Sequence, residues 1–147
     1  MRFFENRYLH YEHLLSYSTR VEAARLTDML EFANRNIDAL ELKPSGNTIF
    51  RIVEVIPSEK GEIYGVEILI PTDKAFATRG QCIYKPVIKI CNAVSYMFCN
   101  IDEIFDAETN IYSYMRRRNM KPITDVYFVL KQKSVIEAYV GISSNIL

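Results

Sequence analysis

Five acidic and tyrosine side chains are the residues of this chain that are best suited to binding chemistry. They are Glu67, Asp125, Tyr127, Glu137 and Tyr139. Each lies in a run with alternating apolar residues, and alternation in a β-strand sends successive side chains to opposite faces. The five are therefore predicted to lie on the mixed face of a sheet, opposite its apolar face. Aromatic rings beside a partly desolvated carboxylate attract flat or apolar cations, so the pattern predicts a cationic or aromatic small molecule as ligand.

A simpler interpretation stays open, because tyrosines suit half-buried strands and the acids could be solvated. Glu108 is also ambiguous: it interrupts the apolar stripe of a predicted helix, either at the helix edge or as an acid that reaches a pocket floor. No metal site is predicted. His10 and His13 are three residues apart, which on a strand places them on opposite faces, and the cysteines lack zinc-ligand spacing. No catalytic residue or cofactor is assigned, since the chain has no GxSxG motif and no phosphate-binding glycine loop.

The charge and composition of the chain limit the classes of function that it could have. The chain has 147 residues, with 18 basic and 18 acidic side chains and a formal net charge of 0. This balance does not favour nucleic-acid binding, which depends on neutralising phosphates. No apolar run reaches the roughly 18 residues that span a bilayer, so no membrane contact is expected. The cysteines at 82, 91 and 99 form no CxxC pair. They are interpreted as small buried apolar residues of a reducing compartment, and the expected location is the cytoplasm.

The elements that position these residues occur twice along the chain. An extended aromatic segment, a helix and two strands follow one another, and the same order returns after roughly 70–80 residues. The predicted segments of the first set are 7–17, 19–36, 48–55 and 63–71, and those of the second are 93–99, 100–119, 125–131 and 135–143. A capping box of Thr19 and Glu22 is expected to begin the first helix, and Asn100 the second.

The predicted fold class follows from this repetition. It is an α+β fold with a duplicated strand–helix–strand–strand repeat. Two helices pack on one face of an antiparallel sheet, because their apolar stripes need a sheet to cover them, and a ligand cleft lies on the other face. The chain is predicted to form one domain over residues 1–147, with repeat one at about 7–72 and repeat two at about 81–145.

This duplicated pattern resembles the GyrI-like effector-binding domains, which occur alone and as the ligand-binding halves of multidrug-responsive bacterial regulators. The resemblance covers residues from about 7 to 142, and its most specific stretch is 111–130, with Asn-Met-Lys-Pro followed by Thr-Asp-Val-Tyr-Phe-Val. Family members commonly have a glutamate two residues before a tyrosine at the start of that strand, where it contacts cationic ligands. Asp125 and Tyr127 match those positions, and aspartate is one methylene shorter.

The resemblance implies a standalone small-molecule-binding protein of the bacterial cytoplasm. Asp125 would pair with a cation, Tyr127 and Tyr139 would form walls, and Glu67 with Glu137 would tune the field. Two alternatives stay open. One is a protein-interaction module that acts on a partner such as gyrase. The other is a slow hydrolase of reactive small molecules, in which Glu137 or Asp125 serves as acid or base. Enzymatic activity is the less favoured reading.

Overall fold

The computed structural model describes residues 2–132 and 134–143. Within them it has six β-strands and two α-helices in the predicted order. The elements are β1 (Phe3–Glu22), α1 (Leu26–Asn36), β2 (Ile49–Ser58), β3 (Gly61–Pro71), β4 (Cys82–Phe98), α2 (Ile104–Arg117), β5 (Tyr127–Leu130) and β6 (Ile136–Gly141). The strand pairs within each unit described below are antiparallel. The predicted α+β fold with a repeated strand–helix–strand–strand order is confirmed.

The chain divides into two compact units. The central unit comprises Tyr11–Ile88, and the terminal unit combines the residues up to His10 with those from Lys89 onward. The first strand of each repeat contributes to both units, since β1 and β4 each cross a boundary between them.

In the central unit, β3 pairs with β1 on one side and with β2 on the other. The β2–β3 hairpin closes where Ser58 pairs with Gly61, a residue whose φ of 119° suits glycine. Helix α1 packs on β3 and buries Leu26, Leu30 and Ala33, which belong to the predicted apolar stripe. This spacing of three and four residues places the three side chains on one helix face.

The predicted capping box at Thr19 and Glu22 is wrong. Strand β1 continues through both residues, with Thr19 opposite Val66 and Glu22 opposite Ile63 on β3. A short 3₁₀ turn follows, and α1 begins only at Leu26. The strand ladder supplies main-chain partners along this stretch, and the adjacent Val21 is buried. Cross-strand pairing and burial therefore outweigh a local helix-capping preference at these positions.

In the terminal unit, β6 pairs with β4 and β5. The Asn100 side chain accepts a hydrogen bond from the backbone N–H of Asp102 at 2.9 Å, so the predicted start signal of the second helical segment is confirmed. Helix α2 then runs to Arg117, close to the predicted end. Strand β5 begins at Tyr127. The strand predicted from residue 125 is therefore shorter than expected, and Asp125 lies in the preceding loop.

The two faces of the terminal sheet differ in what covers them. Helix α2 lies on the face of Tyr96 and Phe128, because Asn110 of the helix donates to the Tyr96 hydroxyl at 3.4 Å. On the same face, Phe3 of β1 stacks on Tyr114 of α2 with ring centroids 4.4 Å apart. Residues of opposite parity in β6 face away from α2. The predicted mixed face is thus the face opposite α2.

Two further observations bear on the sequence predictions. Cys82, Cys91 and Cys99 are free thiols, as expected, but Cys91 and Cys99 are exposed and Cys82 is half-buried. The prediction that they are buried apolar residues is wrong for this reason. No helix in the described part of the chain is long and apolar enough to cross a membrane.

Candidate functional site

The face of the terminal sheet opposite α2 brings three of the five predicted residues together. Glu137 and Tyr139 are two residues apart on β6, so both side chains point to this face. Tyr127 of β5 is directly opposite Tyr139, and Ser95 of β4 is opposite Tyr139 on the other side. Directly opposed residues share a face. Glu137 is fully buried and Tyr139 is only 2% exposed, whereas Tyr127 is half-buried.

Arg7 reaches this face because β1 has an irregular residue just before it. Phe3 and Glu5 contact Tyr114 of α2, and strict alternation would place Arg7 on that same helix side. Asn6 has a φ of 58°, in the left-handed region, which interrupts the alternation. Asparagine is one of the few residue types that enter this region readily. The irregularity turns the Arg7 side chain to the opposite face, as β-bulges commonly do.

The Glu137 carboxylate is the centre of a charged cluster, here called the Glu137 cluster, of Arg7, Ser95, Lys131, Glu137 and Tyr139. Arg7 donates from Nε to Oε2 at 3.1 Å and from Nη2 to Oε1 at 3.0 Å. The Ser95 hydroxyl donates at 2.6 Å and the Tyr139 hydroxyl at 2.7 Å. Lys131 Nζ lies 3.4 Å from Oε1. The Arg7 guanidinium and the Lys131 ammonium lie 5.7 and 5.8 Å from the centroid of the Tyr139 ring.

These contacts set the protonation states in the cluster. Burial acts to raise the pKa of Glu137, but hydrogen bonds from Ser95 and Tyr139 and the charges of Arg7 and Lys131 outweigh it, and the pKa is lowered. Burial and the hydrogen bond to Glu137 raise the pKa of the Tyr139 hydroxyl. Against the opposing effect of burial, Glu137 and Tyr139 raise the pKa of both Arg7 and Lys131. The carboxylate is therefore ionised, both cations are charged and the phenol is neutral.

The central unit contains a comparable arrangement around Glu67, which is 5% exposed. The Ser16 hydroxyl donates to Glu67 at 2.6 Å, Lys85 Nζ at 2.6 Å and Arg51 Nε at 2.7 Å. Burial acts to raise the pKa of Glu67, but these three hydrogen bonds lower it from 4.5 to about 2. Ser16 and Ser95 have equivalent positions, since each is paired with the residue two places after the glutamate that it contacts.

Asp125 has different surroundings from Glu137. It is exposed in the loop before β5, and its charge acts on Glu108 and Tyr112 of α2. Burial and Asp125 together raise the pKa of Glu108, and burial with both carboxylates raises the pKa of Tyr112. Glu108 is half-buried on α2. The structure thus places Asp125 towards α2. It places Tyr127, Glu137 and Tyr139 on the sheet face opposite α2, and Glu67 in the central unit.

Six cations and serines surround the two glutamates and were not predicted from the sequence. They are Arg7, Ser16, Arg51, Lys85, Ser95 and Lys131. The signal that could have indicated them is a serine that ends an apolar run in the first strand of each repeat, at Leu14-Leu15-Ser16 and Ala93-Val94-Ser95. Among the described residues, no group of three or more His, Cys, Asp or Glu side chains could hold a metal ion.

Comparisons with known proteins are informative at the level of structure. No protein-family model and no curated protein sequence matches this chain. The EcmrR chain of a cryo-EM EcmrR–DNA complex (EcmrR-RPo) matches with a TM-score of 0.71 and 14% identity, over 97% of this chain and 58% of that one. The crystal structure of the EcmrR C-terminal domain matches with a TM-score of 0.68 and 14% identity, over 97% and 99% of the two chains.

A third solved structure, an integron cassette protein from the mobile metagenome of Vibrio cholerae, VCH_CASS2, matches with a TM-score of 0.53 and 9% identity. The alignment covers 97% of this chain and all of that one. This chain therefore spans little more than half of the EcmrR polypeptide and almost the whole of its C-terminal domain. At these identities the matches show the fold alone. That fold is consistent with the resemblance to GyrI-like effector-binding domains.

Proposed function

We propose that this chain is a small-molecule-binding domain, and that its ligand contacts the face of the terminal sheet opposite α2. The proposal retains the predicted residues. Tyr127, Glu137 and Tyr139 form this face, Asp125 lies at the entry to β5, and Glu67 has the corresponding place in the central unit. Enzymatic activity forms no part of the proposal.

The observation that carries the proposal is the Glu137 cluster. A carboxylate without solvent exposure is held there with two cations, although removing charges from water has a large desolvation cost. A well-packed apolar core would stabilise the sheet at least as well. Strongly perturbed ionisable groups in a prearranged network are characteristic of functional sites. The structural likeness to the EcmrR C-terminal domain also supports a small-molecule-binding domain.

A thermal-shift screen tests this proposal. Aromatic cations, neutral analogues and anions would be compared on the wild-type chain and on Glu137→Gln and Asp125→Ala. A ligand present at ~100 times its dissociation constant adds about 2.7 kcal/mol of stability. We expect at least one class to stabilise the wild type, and the shift to be reduced in Glu137→Gln. Glu5→Gln is the matched control, because Glu5 forms a partly exposed ion pair with Arg118 in the same unit.

The results also separate the two alternatives. Absence of a shift with every class contradicts the proposal, and a complex recovered with a protein partner from the host would then support an interaction module. Turnover of an electrophilic ester that is lost in Glu137→Gln would support a hydrolase. The lowered pKa of Glu137 does not favour that outcome, because a general acid or base is most effective when its pKa lies near the working pH.

A further inference from the structure

The Glu137 carboxylate has its acceptor capacity filled by the protein itself. A carboxylate offers about four lone-pair positions. Arg7 occupies two of them, and Ser95 and Tyr139 occupy one each, all at 3.1 Å or less. A cationic ligand would therefore have to displace an internal donor from a buried and fully bonded acceptor. The cluster already holds two cations, Arg7 and Lys131, and is not arranged to receive a further one.

Donor capacity, in contrast, is in excess. Lys131 Nζ lies 3.4 Å from Glu137 and also interacts with Tyr139, so the cluster leaves unused at least one of the three hydrogen bonds that an ammonium group can donate. The bonds from Arg7 to Glu137 and Tyr139 use Nε and Nη2, and a guanidinium has further N–H groups on its other nitrogen. Both side chains also reach solvent, with 37% of Arg7 and 27% of Lys131 exposed. A molecule arriving from solvent meets these two cations before it meets the carboxylate.

The net charge of the cluster also favours an anionic over a cationic ligand. One carboxylate faces two cations, so the five side chains together carry a net charge of +1. An aromatic surface also adjoins the cations, because the Arg7 guanidinium lies 5.7 Å from the ring centroid of Phe4, which is 43% exposed. The groups available to a ligand are thus two positively charged hydrogen-bond donors and an exposed aromatic ring.

We infer that the ligand of this face is a small aromatic anion, whose carboxylate or phosphate accepts hydrogen bonds from Lys131 and Arg7. Glu137 acts as a positioning residue, which holds the two cationic groups side by side without contacting the ligand. The ring of the ligand packs near Phe4. This inference rests on the proposed binding function, and it reverses the charge of ligand that the sequence predicts.

Benzoate, benzamide and benzamidine test it, because they share one shape and carry charges of −1, 0 and +1. Phenyl phosphate serves as a second anion. Titrations of the full chain are followed by NMR up to about 10 mM, so that weak, millimolar binding of a small fragment is also detected. We expect the anions to bind more tightly than benzamide and benzamidine, and to lose about tenfold in affinity in Lys131→Gln, as expected for one charge-assisted hydrogen bond. Arg118→Gln, which removes another cation of the same unit, should leave the anion affinity unchanged.

Three outcomes would overturn the inference: tighter binding of benzamidine than of benzoate, equal anion binding by wild type and Lys131→Gln, or no anion binding at all. The first outcome leaves the binding function in place with a cationic ligand. Stabilisation by other compounds in the wider screen, lost in Glu137→Gln, would likewise preserve the proposed function while rejecting the anion. Only a screen in which no compound binds would contradict both the anion inference and the proposed binding function.

Discussion

Replacing Glu67 with glutamine should remove a large pH-dependent contribution to stability. The pKa of Glu67 is about 2 in the folded chain and 4.5 as its ordinary value. A lowered pKa stabilises the folded state above the unfolded-state pKa, and this contribution is lost as the pH falls through the folded-state value. The difference of about 2.5 pKa units corresponds to about 3 kcal/mol at neutral pH, of which about 2 kcal/mol is lost between roughly pH 5 and pH 3.

Urea denaturation at a series of pH values measures this effect directly. The free energy of unfolding of the wild type should fall by about 2 kcal/mol more than that of Glu67→Gln between roughly pH 5 and pH 3. The other carboxyl groups titrate in both proteins, so they cancel in the difference. Glu54→Gln is the matched control, because Glu54 pairs with Arg20 at 2.9 Å with both side chains largely exposed. Exposed pairs contribute only about 0–1 kcal/mol.

Parallel pH profiles for wild type and Glu67→Gln would refute this reasoning. They would mean that Ser16, Arg51 and Lys85 do not hold the carboxylate more tightly than water does in the unfolded chain. A profile of Glu54→Gln that deviates as strongly as that of Glu67→Gln would also refute it. The effect would then come from any loss of negative charge and not from the buried contacts of Glu67.

Substitutions at three other positions test single features of the structure. Asn6→Val should lower the unfolding free energy by about 1–2 kcal/mol, since a β-branched residue resists the φ of 58°. Asn6→Gly should be nearly neutral, and denaturant unfolding compares the two variants. Gly141→Ala should cost about 1–3 kcal/mol in the same assay, because a Cβ would lie 2.8 Å from Thr124 Cγ2. Glu108→Gln should stabilise the chain at neutral pH and not at low pH. Burial and Asp125 raise the pKa of Glu108, so the contribution of Glu108 to the stability of the folded chain is lost as the pH rises through that pKa. Melting temperatures of both proteins at neutral and at low pH test this.

The elements of the fold could be predicted because their signals are local. Apolar spacing indicates α1 and α2, alternation indicates β2, β3, β5 and β6, and Asn100 begins the second helical segment as expected. The error at Thr19 and Glu22 has a definite cause. The capping motif spans four residues, whereas the ladder that overrides it joins residues more than forty positions apart along the chain.

The candidate site was predictable only in part. Alternation correctly placed Tyr127, Glu137 and Tyr139 on one face, because strand parity requires no knowledge of distant partners. It could not place Arg7 there. Arg7 lies 130 positions before Glu137, and its direction depends on the left-handed Asn6, which simple alternation ignores. The cations that neutralise the predicted carboxylates therefore became visible only in the three-dimensional structure.

The cations beside Glu137, which the sequence alone does not reveal, change the ligand charge that should be inferred. Glu137 in the sequence is an isolated acid between Ile136 and Ala138, and an isolated acid on an aromatic face suggests a cation. In the structure the same acid is saturated, and the groups with unused bonding capacity are Lys131 and Arg7. A buried acid can serve as the anchor of a basic site as well as the contact for a basic ligand. The two roles make opposite predictions for benzoate and benzamidine, and Lys131→Gln distinguishes them because it removes a cation while Glu137 stays in place.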